Sequence, residues 1–185
     1  MYHLKKQTID DVMKIPLNKS IKHRLPWLFI GLTGGLFAAH IIDAFDKVLK
    51  QNLILAAFIP LIVYMSDAVG TQMEAFAIRD FAIHPQRKFF RYFLKHLLIT
   101  FTIASILGLF LFLYSFIVYK NLLLGFVLAF SMSFSILSSV VTGLFLPLIF
   151  NKLHFDPANA SGPIATIIQD ILSVIIYFSI ASYLL

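Results

Sequence analysis

Phe155-Asp156-Pro157-Ala158-Asn159-Ala160-Ser161-Gly162-Pro163 leads into an almost wholly apolar run that continues to Leu185 and holds one carboxylate, Asp170. As a helix, the residues from Ser161 to Leu185 reach roughly 37 Å at about 1.5 Å per residue. That length is enough to cross a hydrocarbon layer of about 30 Å. Asp170 follows Ser161 by nine residues, which puts it roughly 14 Å along the helix, near mid-membrane. A charge at that depth is expensive unless something offsets it, so a lone intramembrane acid reads as a functional residue.

The rest of the chain has the same character. Of its 185 residues, 59% are hydrophobic and only 13% charged, and its mean hydropathy is +0.88. Those values exclude a soluble domain and suit one membrane domain. Without cysteine, disulfides, thiolate metal sites and cysteine nucleophiles are excluded. The net charge of +6 does not point to nucleic acid, because the basic residues flank apolar spans, where they set topology. Met1–Ser20 has charge but no long apolar core or small-residue cleavage site, so it does not read as a signal peptide.

Five spans are expected, and the fold class is an all-α integral membrane protein. Residues 1–24 form a basic N-terminal segment in which Leu4, Ile9, Val12, Met13 and Ile15 suit a short amphipathic helix ending before Pro16. Residues 25–185 form the membrane domain. Its first span runs from Leu25 to about Ile42, with Pro26 in a first helical turn, Trp27 at the interface, and Gly31, Gly34 and Gly35 for close helix packing. His40 reads as an interfacial histidine.

The second span, Leu53 to about Ile78, is interrupted by Pro60. In it Gly70, Thr71 and Glu74 follow Asp67 at offsets of three, four and seven, which places them on one helical face. Acids there must meet water, a cation or a partner helix. The loop from Arg79 to Lys95 is the most basic in the chain. The third span (about Leu97–Tyr119) carries no charge, and a turn at Lys120-Asn121 leads to the fourth (about Leu122–Phe150). Ser131, Ser133, Ser135, Ser138, Ser139 and Thr142 favour close interhelical contact there. The fifth span ends the chain.

Twelve of the fifteen Lys and Arg fall on the N-terminal side of this arrangement, and only Lys47, Lys50 and Lys120 on the other. The positive-inside rule then sets the N-terminus in the cytoplasm and the C-terminus outside the cell membrane.

Asp67, Glu74 and Asp170 have no Lys or Arg within a span to pair with them. Such acids take up protons or hold cations. Oxygen ligands without sulfur suit hard cations such as magnesium or calcium, and magnesium keeps much of its water shell. A proton relay uses the same residues, and so does a set of hydrogen bonds to Ser, Thr and Tyr across helices. Enzymes find no support: the chain has no H-E-x-x-H, no G-x-S-x-G and no phosphate-binding loop.

Three stretches resemble MgtE-type magnesium channels and transporters. Asp156-Pro157-Ala158, Ala160-Ser161-Gly162-Pro163 and Asp170 resemble that family's last membrane helix. Arg24-Leu25-Pro26-Trp27 resembles the lead into its first helix, and Pro60, Met65, Gly70-Thr71-Gln72 and Arg79 resemble its second. The resemblance covers about residues 20–185.

It implies a five-helix subunit that forms a homodimer in the lipid bilayer, with the cation pathway at the subunit interface. The implied metal-site residues are Asp170, with Gly162 and Thr166 on its face, and Gly70 and Thr71 bordering the pathway from the second helix. Met65 is followed by Ser66-Asp67-Ala68-Val69 where the family has Gly-Gly-Asn, and Glu74 adds a further acid. The transported ion is expected to be Mg2+, with Asp67 and Glu74 attracting cations or coupling protons. The family's acidic helical domain and paired CBS domain are expected to be missing from this chain, so a separate cytosolic regulator is one expected partner. Two alternatives stay open: a proton- or sodium-coupled carrier of the same fold, and a non-conducting membrane scaffold.

Overall fold

The computed structural model describes residues 13–84, 86, 88–153 and 157–185, with the backbone alone for 157–160. Six helices are described: α1 (Leu17–Ala44), α2 (Asp46–Gln51), α3 (Ile54–Ile83), α4 (Phe89–Tyr119), α5 (Leu122–Lys152) and α6 (Pro157–Leu184). All but α2 are long and apolar enough to cross a membrane, so the five expected spans are present. The helix expected over Leu4–Ile15 lies outside the described residues except for Met13–Ile15.

The helices overrun their apolar stretches, mostly where charged residues follow, because Lys, Arg and Asp end a membrane span without ending a helix. α1 begins at Leu17, directly after Pro16 in extended conformation (φ −65°, ψ 150°). Pro26 is therefore inside the helix, not in its first turn. The amide it lacks frees the carbonyl of Lys22, in an exposed, basic stretch where water can satisfy it. Pro60 likewise leaves α3 continuous. Near the carbonyl it frees, that of Ala56, the Tyr177 hydroxyl donates to the Leu55 carbonyl at 2.8 Å and ties α6 to α3. Lys120 closes α4 in the left-handed region (φ 51°), and the Asn121 side chain accepts from the Leu124 amide at 3.0 Å to start α5. That pair makes the tight α4–α5 hairpin.

α5 sits at the centre, packed against α3, α4 and α6. Its small residues allow the approach. An added Cβ on Gly143 would stand 2.6 Å from the Gly70 carbonyl oxygen of α3, and one on Gly108 of α4 would stand 2.2 Å from Ser133 Oγ. The Ser133 hydroxyl donates to the Ala104 carbonyl at 3.0 Å. Ser115, Ser131 and Ser135 are fully buried with hydroxyls that have no hydrogen-bond partner among the described residues, so their small size is what these contacts use.

α1 stands apart. It packs on α6 and buries no residue of its own. An added Cβ on Gly34 would come within 2.2 Å of Ile167 Cγ2, whereas one on Gly35 meets nothing within 4 Å. α3 and α4 diverge over α5, leaving an apolar cleft of about 430 Å³ floored by Met132 and flanked by Phe58, Met65, Leu107 and Tyr114.

Candidate functional site: an acidic line between α3 and α6

α6 carries polar residues on two faces. Gly162, Thr166 and Asp170 recur every four residues and so form one column. Asp170 is the fourteenth of the helix's 28 residues. Together with Thr166, Pro163 and Ile167 it borders a cleft of about 550 Å³ whose other wall is α1, at Leu28, Gly31, Leu32, Gly34 and Gly35. Among the described residues nothing stands within 4 Å of a Cβ added at Gly162. The column therefore faces open space, and Asp170 is half-buried.

α3 runs antiparallel to α6 and brings its acids to the same seam. The Thr166 hydroxyl donates to the Asp67 carboxylate, and Asp67 lies near enough to Asp170 for the two charges to repel. Two turns along α3, Glu74 is 7% exposed and accepts from the fully buried Ser161 hydroxyl. It also feels the charge of Asp67. Asp170 differs from both: among the described residues no donor hydrogen-bonds it and no Lys or Arg pairs with it. An acid with neither cation nor donor, held at mid-membrane depth, is a strong attractor for a positive charge.

The structure thus brings together Asp67, Glu74, Thr166 and Asp170, with Gly162 on the same column. Thr71 is on the exposed side of α3. Gly70 is buried at the α3–α5 crossing, where an added Cβ would stand 3.3 Å from Ser139 Cβ. Among the described residues, no group of three or more His, Asp and Glu is placed to hold a metal ion, so the acids form a line and not a cage. His40 is exposed, with Nδ1 2.7 Å from the Leu36 carbonyl oxygen, as an interfacial histidine would be. Asp156 lies outside the described residues.

The other face of α6 holds a residue that the sequence reading passed over. Gln169 is 1% exposed, and every polar position of its side chain is used. Its amide nitrogen donates to the Ser135 carbonyl and Ser138 Oγ, each at 3.0 Å, and lies 3.1 Å from Ser173 Oγ. Its amide oxygen accepts from the Thr142 hydroxyl at 2.8 Å. Ser173 continues the network to Ser66 of α3 at 2.6 Å. This buried network fixes the rotation of α6 and so aims the neighbouring Asp170 at the cleft. The signal was present in the sequence: an amide inside an apolar run must find partners, and the hydroxyl stripe of α5 supplies them.

Residues 59–180 match the family described as MgtE, divalent cation transporter. The chain belongs to this family. Among curated relatives, it is 35% identical to the magnesium transporter MgtE of Enterococcus faecalis over 94% of its own length. It is 37% identical to that of Bacillus subtilis over 86%, and 30% identical to that of Thermus thermophilus over 88%. It spans 36–39% of the length of these MgtE relatives. Within the chain, the MgtE match takes in α4 and α5, nearly all of α3, and α6 as far as residue 180. The whole acidic line therefore lies inside it.

Proposed function

We propose that this chain carries divalent cations, magnesium first among them, across a cell membrane. The observation that supports the reading best is Asp170: central in a spanning helix, open to a cleft, and without donor or counter-charge among the described residues. A hydrated magnesium ion needs carboxylates that meet its water shell, not a cage that strips it. A line of separated acids suits that requirement better than it suits tight binding.

In this reading α3 and α6 line the route, and Asp67 helps draw ions toward Asp170. The cleft has its one acid, Asp170, on the α6 wall only. A second copy of the chain, with its own Asp170 facing the first, would complete a conduit between two subunits. The excess of Lys and Arg on one side supports an N-terminus in the cytoplasm and a C-terminus outside.

A specific feature favours a second reading, coupled transport. Glu74 is buried and capped by Ser161, which fits a group that takes and releases a proton better than one that touches a passing ion. Purified protein in liposomes tests both. Magnesium influx that is lost in Asp170→Asn while assembly is unchanged supports the main reading. Flux that requires a pH or sodium gradient supports the coupled one. Normal flux in both Asp170→Asn and Asp170→Ala overturns the role of Asp170, and absence of flux in the wild type leaves a scaffold.

A further inference from the structure

At the start of α4, away from the acidic line, Lys88, Arg91, Tyr92 and Lys95 line a pocket of about 370 Å³. The spacing of three, four and seven places all of them on one helical face. Among the described residues no carboxylate answers the three cations. The first turn of α4 has no acidic residue, and among the described residues Lys88, Arg91 and Lys95 make no ion pair. Asp80, the acid nearest this pocket in the chain, is engaged by Arg79 at 3.0 Å and by the Tyr92 hydroxyl at 3.3 Å. Tyr92 is itself fixed, packed edge-on to Phe81 with ring centroids 5.1 Å apart. The pocket therefore has a rigid apolar back wall and three cations free to turn inward.

The same face continues into the apolar part of α4. Steps of four, seven, three and four residues from Lys95 reach Ile99, Ile106, Leu109 and Leu113, which are between 46% and 61% exposed. This stripe extends roughly 21 Å from Ile99 to Leu113 at about 1.5 Å per residue, more than one leaflet's depth of hydrocarbon. A soluble anion fits the cations but leaves the stripe unused. A molecule with an anionic head and apolar tails uses both.

We propose that this face of α4 is a binding site for an anionic glycerophospholipid. The lipid phosphate sits among Lys88, Arg91 and Lys95, with the Tyr92 ring behind it, and an acyl chain lies along the Ile99–Leu113 stripe. Basic pockets at the edge of a membrane domain bind such head groups through charge and hydrogen bonds together.

Native mass spectrometry of the purified protein in detergent tests the site. The probes are phosphatidylglycerol and phosphatidylcholine with identical acyl chains, supplied in equal amounts. The wild type is expected to retain phosphatidylglycerol over phosphatidylcholine by roughly a hundredfold, the size of effect that three cations near a membrane surface produce. K88Q/R91Q/K95Q is expected to lose that preference, and the charge-preserving K88R/R91K/K95R to keep it. K19Q/K22Q/R24Q removes the same charge from α1 and is expected to leave the preference intact. Equal loss in the α1 triple variant would mean that net charge alone is responsible and would overturn the site. Displacement of the lipid by millimolar inorganic phosphate would assign the pocket to the free ion. An unchanged preference in K88Q/R91Q/K95Q would place the retained lipid elsewhere on the protein, and either result overturns the lipid assignment.

Discussion

Gln169 and Asp170 are consecutive residues in one helix, and they live by opposite rules. Gln169 is sealed among α5 and α6 hydroxyls with all its hydrogen-bonding positions occupied. Asp170, about 100° round the helix, faces a cleft and accepts nothing from the described residues. A buried polar group that is fully satisfied rigidifies its surroundings. One left unsatisfied at mid-membrane depth is, in the proposed reading, held for an ion that comes and goes. The first residue specifies the structure, and the second is available for work.

That contrast can be broken most directly at Asp170. Asp170→Asn keeps size and shape but removes the charge, and is expected to abolish magnesium flux in proteoliposomes, a loss above about a hundredfold if several kcal/mol of ion attraction vanish. Thermal stability in detergent is expected to hold or rise, because no hydrogen bond is lost and the repulsion from Asp67 is relieved. Gln169→Leu is the opposite experiment. It removes the hydrogen bonds that tie α6 to Thr142, Ser138 and the Ser135 carbonyl of α5, so the Thr142 and Ser138 hydroxyls keep only bonds within their own helix. It is expected to reduce stability by about 1–2 kcal/mol, readable as a lower unfolding midpoint. Flux then falls only as far as the aim of Asp170 loosens. If Gln169→Leu proves as stable as wild type, the network does not hold α6 in place.

Smaller effects sharpen the same comparison. Gly34→Ala forces a methyl into Ile167, a β-branched side chain with little room to turn, and is expected to cost about 1–3 kcal/mol as overpacking. Gly35→Ala, one residue on and open, is expected to be silent in the same melting measurement. In flux, Glu74→Gln is expected to lose much less than Asp170→Asn. The amide can still accept from Ser161, so only a charge at a distance is removed, worth about 1 kcal/mol, or about fivefold in ion flux. A larger loss would move Glu74 from the margin of the route to its centre.

Much of this was legible from the residues. The five apolar runs foretold five spanning helices, and the offset of Asp67 from Glu74 correctly put both on one side of α3. Gly70 shows the limit of such periodicity. It shares that arc by angle, yet its missing side chain makes it the place where α5 approaches most closely, and only the packed neighbour reveals that. Pro26 misled in another way, since a proline marks a helix start only where no earlier start exists, and Pro16 supplied one. Gln169 was overlooked because a neutral amide carries no charge signal. Its importance depends on residues 27–34 positions earlier in the chain, a pairing set by tertiary packing.

The hydroxyls of α5 also bear on how the chain is built. Ser138, Ser139 and Thr142 each bond a carbonyl of their own helix three residues back, at 2.7, 2.7 and 3.2 Å. During synthesis α5 emerges before α6, so Ser138 and Thr142 are without their Gln169 partner until α6 follows. Back-bonding to their own backbone lets them wait without bare polar atoms. The arriving amide of Gln169 then meets hydroxyls already satisfied within α5.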